Sequence, residues 1–319
     1  MEVRVRFSEE PTIEERLIVQ DKLSQGDLDV YKVFSPTYNQ TYAIKLFPRS
    51  SFGMRHYQKE KLMSHLNHLN VIQQVPIIYS RRKCNILLTK FAPYGDFLDL
   101  VKNQHLDNEV LKRTYFRQLI EGIEHIHSQG VAHLDLKLEN LMMGEDFNLK
   151  IIDFDHAQPI KDNVIRSKGT NGYRAPELIS KTGSNLAAID IYAAGIILFM
   201  FKVRALPFEE IKEDGEKNNY FSYYTYNQSK SYFWKMNKYV SDDKKAISKD
   251  FIQLVDGMLT EDPEKRMTIE DIKKTKWYKG RILELKTLQK EMITRLGDKK
   301  FEEMGTKTHI GSLEMQRES

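Results

Sequence analysis

The sequence predicts an α+β fold of two lobes, a small β-rich lobe followed by a larger helical one. Residues 1–90 contain short stretches rich in β-branched and aromatic residues, separated by turn formers. Beyond residue 95 the apolar residues recur at helical spacing instead. The chain has 319 residues, more than one small core needs. A sheet-forming half followed by a helical half therefore predicts two lobes with a cleft between them.

Four short stretches account for the predicted sheet of the smaller lobe. They are LIVQDKL (17–23), DVYKVF (29–34), TYAIKLF (41–47) and CNILLTKF (84–91). One helix is predicted to interrupt them at about 53–66. Cys84 is the single cysteine, so no internal disulfide is possible, and we expect a buried strand residue without a redox role.

The helical half begins with a long amphipathic segment. Its apolar residues at helical spacing are Val110, Leu111, Tyr115, Leu119, Ile123 and Ile126. Asp107 can cap the start of this helix and Gly130 can end it. Residues 141–143 and 149–154 predict a short hairpin. Further helices are predicted at about 188–203, 249–259 and 268–274.

Composition and charge restrict the class of protein. The net charge is +4, and the basic residues form no dense run with interleaved aromatics, so we expect a solvated lysine surface and no nucleic-acid partner. The apolar run around 189–201 contains Asp190 and is too short for a membrane span, so a buried helix is predicted. The charged start lacks a secretory signal. An intracellular, cytoplasmic location is therefore expected.

The string H-L-D-L-K-L-E-N at 133–140 concentrates catalytic residue types. Asp135 and Asn140 are five residues apart, and Asp153 follows 13 residues after Asn140. A hairpin between them would bring Asn140 and Asp153 together, where their oxygen atoms suit Mg²⁺. Asp135 can accept the proton of an incoming hydroxyl group, and Lys137 can neutralise charge on a moving phosphoryl group. Phosphoryl transfer depends mainly on such positioning and electrostatics.

Residues on either side of this string complete the predicted cleft. Lys45, at the end of Y-A-I-K, would hold nucleotide phosphates. The segment G-T-N-G-Y-R-A-P-E at 169–177 could close a substrate platform. A buried unpaired carboxylate is costly, so we expect Asp190 to accept hydrogen bonds from backbone N–H groups of the catalytic loop. Arg266 is the predicted partner of Glu177.

These motifs together resemble those of the eukaryotic protein kinase family over about residues 18–279. Six strings occur in the family's order and rough spacing. They are A-I-K (43–45), H-L-D-L-K-L-E-N (133–140), D-F-D (153–155), A-P-E (175–177), D-I-Y-A-A-G (190–195) and D-P-E-K-R (262–266). The resemblance implies the bilobal kinase fold, ATP as the phosphoryl donor, Mg²⁺ as cofactor and a protein substrate. Lys137 and Thr170 resemble the serine/threonine branch.

The resemblance also implies roles for individual residues. Its catalytic residues would be Asp135, Lys137, Asn140 and Lys45. Its metal ligands would be Asn140 and Asp153. Its cofactor-binding residues would be Lys45, Gly26, Val30, Ala43, Thr89, Asp96, Met142 and Glu60. Thr89 falls at the gatekeeper position, which puts the hinge at about 90–92, and His133 is expected to stack under Phe154. The implied division is an N-terminal extension at 1–17, lobes at 18–90 and 91–279, and a tail at 280–319.

Two departures from the family pattern concern the nucleotide. The Gly-rich loop corresponds to residues 24–30 and retains only Gly26 of three glycines. Glycines let backbone N–H groups approach phosphates, so weak ATP affinity is expected. The family's D-F-G is D-F-D here, and Asp155 lacks the freedom of glycine at positive φ. We expect Asp155 to be solvated or hydrogen bonded, with a position near the metal as the alternative.

Two further departures concern regulation and the ion pair of Lys45. Leu134 replaces an arginine that in the family pairs with a phosphate on the activation loop. The hypothesis is that loop phosphorylation, at Ser167 or Thr170, does not switch the enzyme on. The carboxylate partner of Lys45 is expected to be Glu60, although the gapless family position is Lys59, and the alternative is that this ion pair is absent.

The sequence leaves alternatives open for both the function of the chain and its substrate specificity. Retention of all four catalytic residues favours an active kinase, and a pseudokinase serving as a nucleotide-binding or scaffold module is the alternative. Asp96 and Glu139 could select an arginine upstream of the phosphorylated residue, as in calcium/calmodulin-dependent kinases. The alternative is that Asp96 holds the ATP ribose and Glu139 is solvated.

The C-terminal segments predict packing more than recognition. The aromatic stretch at 218–239 is expected to pack in the larger lobe. An amphipathic helix is predicted at about 281–304, packing on the larger lobe, with a regulatory partner or autoinhibition as the alternative. Residues 305–319 are expected to be disordered.

Overall fold

The structure, a computed structural model, describes most of the chain. The described residues are 2–9, 14–24, 28–61, 63–78, 84–162, 164–181, 185–208, 229–240 and 247–296. Strands dominate up to residue 90 and helices dominate after it, so the predicted α+β arrangement is confirmed.

A six-stranded antiparallel sheet forms the smaller lobe, in the order β5-β1-β2-β3-β4-β6. Its strands are β1 (Glu2–Phe7), β2 (Glu15–Lys22), β3 (Asp29–Ser35), β4 (Gln40–Pro48), β5 (Ile77–Ile78) and β6 (Cys84–Lys90). All four predicted strands are present. The sequence assigned residues 1–17 to an N-terminal extension, and in the structure β1 and the start of β2, within that range, are paired into this sheet. Cys84 is partly buried, not buried as expected.

The register of the central strands decides which side chains face the cleft. Val30 lies opposite Lys45, and Ala43 lies opposite Thr89. Opposed residues in an antiparallel pair share a face, and residues two apart on one strand share it too. These four side chains therefore lie on one face of the sheet. Ile44, between Ala43 and Lys45, points to the other face and is fully buried in the lobe's core.

The described residues contain nine α-helices. They are α1 (Ser51–Lys61), α2 (Phe97–Lys102), α3 (Glu109–Ser128), α4 (Pro176–Ser180), α5 (Leu186–Val203), α6 (Lys230–Val240), α7 (Lys249–Met258), α8 (Ile269–Lys274) and α9 (Leu285–Leu296). α1 ends five residues before the predicted limit, and Met63 and Leu66 follow it as buried turn residues. The N-cap of α3 is Asn108, not Asp107, because the Asn108 side chain accepts the Leu111 N–H at 2.8 Å.

The larger lobe is built around α3 and α5. Helix α5 is long and apolar enough to span a membrane, so the prediction that this run is too short was wrong, but 94% of the helix is buried inside the lobe. The predicted core helix is therefore confirmed. Short strands complete the lobe: β7 (Val131–Ala132) pairs with β10 (Gln158–Pro159), and β8 (Leu141–Met143) pairs with β9 (Leu149–Ile151) as the predicted hairpin.

The C-terminal part packs against the same core. Phe233 and Trp234 on α6 are buried beside Phe199, which agrees with the predicted packing role, while residues 218–228 of that stretch lie outside the described residues. Helix α9 buries Leu288 and Met292 in the core of the larger lobe. It is shorter than predicted within the described residues, and residues 297–319 lie outside them.

Candidate active site

Lys45 is the centre of a cluster of three carboxylates. Its Nζ lies 2.8 Å from Glu60 Oε1, 2.7 Å from Asp153 Oδ1 and 2.9 Å from Asp155 Oδ2. The predicted pair with Glu60 is therefore present. Lys59, which occupies the gapless family position, donates to the backbone carbonyl of Asp155 at 2.9 Å. Strand β4 supplies the ammonium group and α1 supplies the glutamate, so packing of α1 on the sheet makes this pair.

One cation cannot neutralise three carboxylates, and the pKa values reflect this. Burial alone would lower the pKa of Lys45, but the three carboxylates raise it above its usual value. Burial, with Asp153 and Asp155 nearby, raises the pKa of Glu60 to about 7 despite the pull of Lys45. Asp153 is only partly buried, and the attraction of Lys45 outweighs its desolvation and lowers the pKa of its carboxyl group. Of these two carboxyl groups, Glu60 is therefore the one that takes up a proton more readily.

Asp155 contacts Lys45, which the sequence did not predict. A solvated or hydrogen-bonded Asp was expected, with a position near the metal as the alternative. Its carboxylate forms an ion pair with the lysine predicted to hold phosphates, and it clusters with Asp153, a predicted metal ligand. The expected backbone conflict does not occur at this residue, because the left-handed φ of 63° belongs to Asp153. The replacement of the family's glycine by Asp155 therefore acts through the negative charge that it places beside Lys45. The tertiary structure places the Asp155 carboxylate beside Lys45. Spacing along the chain does not predict this contact.

The catalytic loop is held by a buried carboxylate, as predicted. Asp190 on α5 accepts the backbone N–H groups of His133 and Leu134, each at 2.8 Å. His127 Nε2 lies 2.8 Å from the same carboxylate. Leu134 has a positive φ of 65°, an unusual conformation for leucine, and these bonds hold it there. The His133 ring packs against Phe154 at 4.8 Å between centroids, as expected.

Asp135 is oriented by three side chains. Thr170 donates from Oγ1 to Asp135 Oδ1 at 2.7 Å. Lys137 Nζ lies 3.1 Å from Asp135 Oδ2 and donates to Thr170 Oγ1 at 2.9 Å. Asn140 Nδ2 donates to the Asp135 carbonyl at 2.9 Å. The carboxylate is thus fixed between the catalytic loop and the segment that contains Thr170.

Asn140 and Asp153 fit the hard-cation role predicted for them. The amide nitrogen of Asn140 is engaged with Asp135, and its amide oxygen has no hydrogen-bond partner among the described residues. Ile152 N–H donates to the Asn140 carbonyl at 3.0 Å, so the hairpin places Asn140 next to the residue before Asp153. An amide oxygen and a carboxylate with a low pKa suit Mg²⁺. Glu60, Asp153 and Asp155 also form a carboxylate cluster, but Lys45 lies among them.

A cleft of about 540 Å³ lies between the sheet and the larger lobe. Seven of the eight predicted cofactor-binding residues line it, namely Val30, Ala43, Lys45, Glu60, Thr89, Asp96 and Met142. Gly26 lies outside the described residues. Leu23, Leu87 and Ile152 line the cleft too and were not predicted, because each looks like an ordinary core residue in the sequence. The predicted hinge residues 90–92 form one side.

The platform below the cleft is fixed by the predicted ion pair. Arg266 Nη2 lies 2.9 Å from Glu177 Oε2, and Nη1 lies 2.5 Å from Oε1. Both side chains are almost completely buried. The pair joins the A-P-E segment to the loop before α8.

Comparisons with known proteins agree with this geometry. The chain matches the protein kinase domain family over residues 19–278. CBL-interacting serine/threonine-protein kinase 8 of Arabidopsis thaliana is 31% identical over 248 residues, which cover 75% of this chain and 52% of that protein. CBL-interacting protein kinase 8 of Oryza sativa subsp. japonica is 29% identical over 263 residues, covering 80% and 55%. Serine/threonine-protein kinase SRK2F of Arabidopsis thaliana is 29% identical over 274 residues, covering 83% and 74%.

This chain spans about half the length of the CBL-interacting relatives that it matches. The family match covers most of the chain, and it includes Lys45, the catalytic loop, Asp153 and the buried pair of Glu177 with Arg266. The chain is a member of the eukaryotic protein kinase family.

Proposed function

We propose that this chain is an ATP-dependent protein serine/threonine kinase. The observation that carries the proposal is the orientation of Asp135 by Thr170 and Lys137 beside the cleft. A carboxylate held in this way can accept a proton from a substrate hydroxyl group without rearrangement. The named serine/threonine kinases among the relatives support the same function.

Each residue of the site would have a separate role in catalysis or binding. Asp135 would orient the substrate hydroxyl group and take its proton, and Lys137 would stabilise negative charge beside it. Lys45, held by Glu60, would bind nucleotide phosphates. Asn140 and Asp153 would hold the metal. Bound Mg·ATP would supply the phosphoryl group and the positive charge that stabilises its transfer.

Nucleotide affinity is expected to be modest. The Gly-rich loop retains one glycine of three, and Asp155 competes with phosphate oxygens for Lys45. Both features weaken phosphate binding and leave the proton-accepting group untouched. We therefore propose a raised KM for ATP in an otherwise competent enzyme.

We further propose a substrate with a basic residue upstream of the acceptor. Asp96 and Glu139 both line the cleft. Burial raises the pKa of Asp96, and the charges of Asp99 and Glu139 raise it further. A cation bound there would relieve this accumulation of negative charge. The side chain of Asp96 already caps α2 by accepting the Asp99 N–H at 2.9 Å, which supports a fixed position for its carboxylate.

For the C-terminal tail we propose only a packing role. Helix α9 packs on the larger lobe, and Arg295 near its end pairs with Asp107 at 2.8 Å. This supports the packing role that the sequence favours. A regulatory partner at the tail, like that named for the CBL-interacting relatives, stays a prediction.

Transfer of ³²P from Mg·ATP to an Arg-x-x-Ser peptide tests the proposal, with Asp135→Ala and Asp153→Ala as controls. Incorporation that disappears in both variants is the expected result. A peptide with the arginine replaced by alanine tests the basic preference separately. Absence of transfer over a wide ATP range, with thermal stabilisation by ATP, would instead identify a nucleotide-binding pseudokinase.

A further inference from the structure

Gln158 on β10 is buried and uses its whole side-chain amide. It is 2% exposed. Its Oε1 accepts the backbone N–H groups of Arg166 at 2.8 Å and Ser167 at 3.0 Å. Its Nε2 donates to the Val164 carbonyl at 3.1 Å and to Asp162 Oδ2 at 3.3 Å. One neutral side chain thus ties β10 to four residues of the segment before Thr170.

Ser167 continues this contact to the catalytic loop. The residue is 1% exposed, and its hydroxyl group donates to the Leu134 carbonyl at 3.2 Å. Gly169 N–H donates to the Ser167 hydroxyl oxygen at 3.0 Å, and His156 Nδ1 lies 2.9 Å from that hydroxyl oxygen. Lys181 Nζ donates to the Ser167 carbonyl. The Ser167 hydroxyl group is therefore committed to internal contacts.

The same segment positions the predicted proton acceptor. Thr170 follows Ser167 by three residues, and its hydroxyl group donates to Asp135 at 2.7 Å. A displacement of residues 166–169 would therefore move Thr170 relative to Asp135. Misplacement by about 1 Å can cost about 100-fold in rate.

We propose that Gln158 is a positioning residue that holds this segment in its working position without a phosphate group. The inference rests on the proposed kinase function. Leu134 carries no charge that could bind a phosphate, and its backbone carbonyl binds Ser167 instead. Hydrogen bonds from Gln158 and Ser167 supply the anchoring. A phosphate on Ser167 would bring about two negative charges to a buried hydroxyl group and break these contacts.

Two variants of Gln158 test the proposal, with Gln253→Ala, an exposed glutamine on α7, as the matched control. Gln158→Ala removes all four hydrogen bonds. Gln158→Glu keeps an acceptor for the two N–H groups but turns a carboxylate oxygen towards Val164 and Asp162. Arg166, Lys181 and His156 are the other charged or titratable groups around this network. Protonation of the new glutamate restores a donor, so its defect should shrink as the pH falls.

The expected result for Gln158→Ala is a kcat about 10- to 100-fold lower with an unchanged KM for ATP. For Gln158→Glu we expect a similar loss at pH 8 and a ratio to the parent activity that rises towards pH 6. A kcat within twofold of the parent in both variants, or a ratio for Gln158→Glu that does not vary with pH, would overturn the proposal.

Hydrogen exchange provides a readout that needs no activity. The Arg166 and Ser167 amides should exchange faster in Gln158→Ala than in the parent, and at the parental rate in Gln253→Ala. Unchanged exchange would overturn the anchoring role. If the parent chain transfers no phosphate at all, the proposed function fails, and this comparison alone then supports or overturns the anchoring by Gln158.

Discussion

Lys45 and Asp155 form an ion pair across the cleft, with Nζ 2.9 Å from Oδ2. The pair places a third carboxylate on the lysine that Glu60 and Asp153 already bind. The residue that departs from the family's D-F-G thus acts directly on the nucleotide site.

Removing this carboxylate should improve ATP binding. Asp155→Gly frees one side of Lys45 for phosphate oxygens and restores the family's residue, so we expect a several-fold lower KM for ATP. Asp155→Asn removes the charge without introducing the backbone freedom of glycine, and it should give most of the same decrease in the KM for ATP. Steady-state kinetics at varied Mg·ATP measures both, and an unchanged or higher KM in the two variants would contradict the role given to Asp155.

The raised pKa of Glu60 predicts a pH-dependent stability. Its carboxyl group titrates near 7 in the folded chain and near 4.5 when unfolded, so the folded state binds more protons between these values. Stability from this group is therefore complete below pH 4.5, falls as the pH rises, and is lost above about pH 7, by about 3 kcal/mol in total. Denaturant unfolding of the parent and Glu60→Gln between pH 5 and 8 measures the difference. A parallel pH dependence in the two proteins would show that Glu60 does not titrate in this range.

Loop phosphorylation should not activate the enzyme. The hydroxyl groups of Ser167 and Thr170 already donate to Leu134 and Asp135. Phosphatase treatment should leave activity unchanged, and Ser167→Asp should lower kcat about tenfold or more, because it buries a charge in place of a hydroxyl group. Activation by Ser167→Asp, or loss of activity after phosphatase treatment, would contradict this prediction.

Thr170 should be required for its hydroxyl group. Thr170→Val keeps the shape but removes the donor to Asp135 and the acceptor for Lys137. We expect kcat to fall about 10- to 100-fold with little change in the KM for ATP, and Thr170→Ser to retain most activity. Full activity in Thr170→Val would show that Asp135 is oriented adequately by other groups.

The buried pair of Arg266 and Glu177 should dominate the stability of the substrate platform. Arg266→Met leaves Glu177 buried and unpaired, which should cost about 3–5 kcal/mol of unfolding free energy. Lys265→Ala is the control, since Lys265 is 78% exposed and its pair should contribute less than about 1 kcal/mol. Urea unfolding measures both, and similar values would remove the distinction between the buried and exposed pairs.

The amino-acid pattern alone determined the elements and most of the site. Strand β4, helix α3 and the hairpin around residue 145 follow from local periodicity and turn formers, which depend on neighbours along the chain. Asp135, Lys137, Asn140 and Asp153 were also predictable, because their chemistry depends on a spacing that the hairpin preserves.

Only the tertiary structure decided which groups meet across elements. It placed Glu60 against Lys45 and directed Lys59 to the Asp155 carbonyl, because the packing of α1 on the sheet sets the helix rotation. It also brought Asp155 to the same lysine. The role of Gln158 could not be predicted from the sequence either, because its hydrogen bonds go to backbone groups whose positions no sequence pattern predicts. Local periodicity specifies elements, and contacts between residues far apart in the chain depend on how those elements pack.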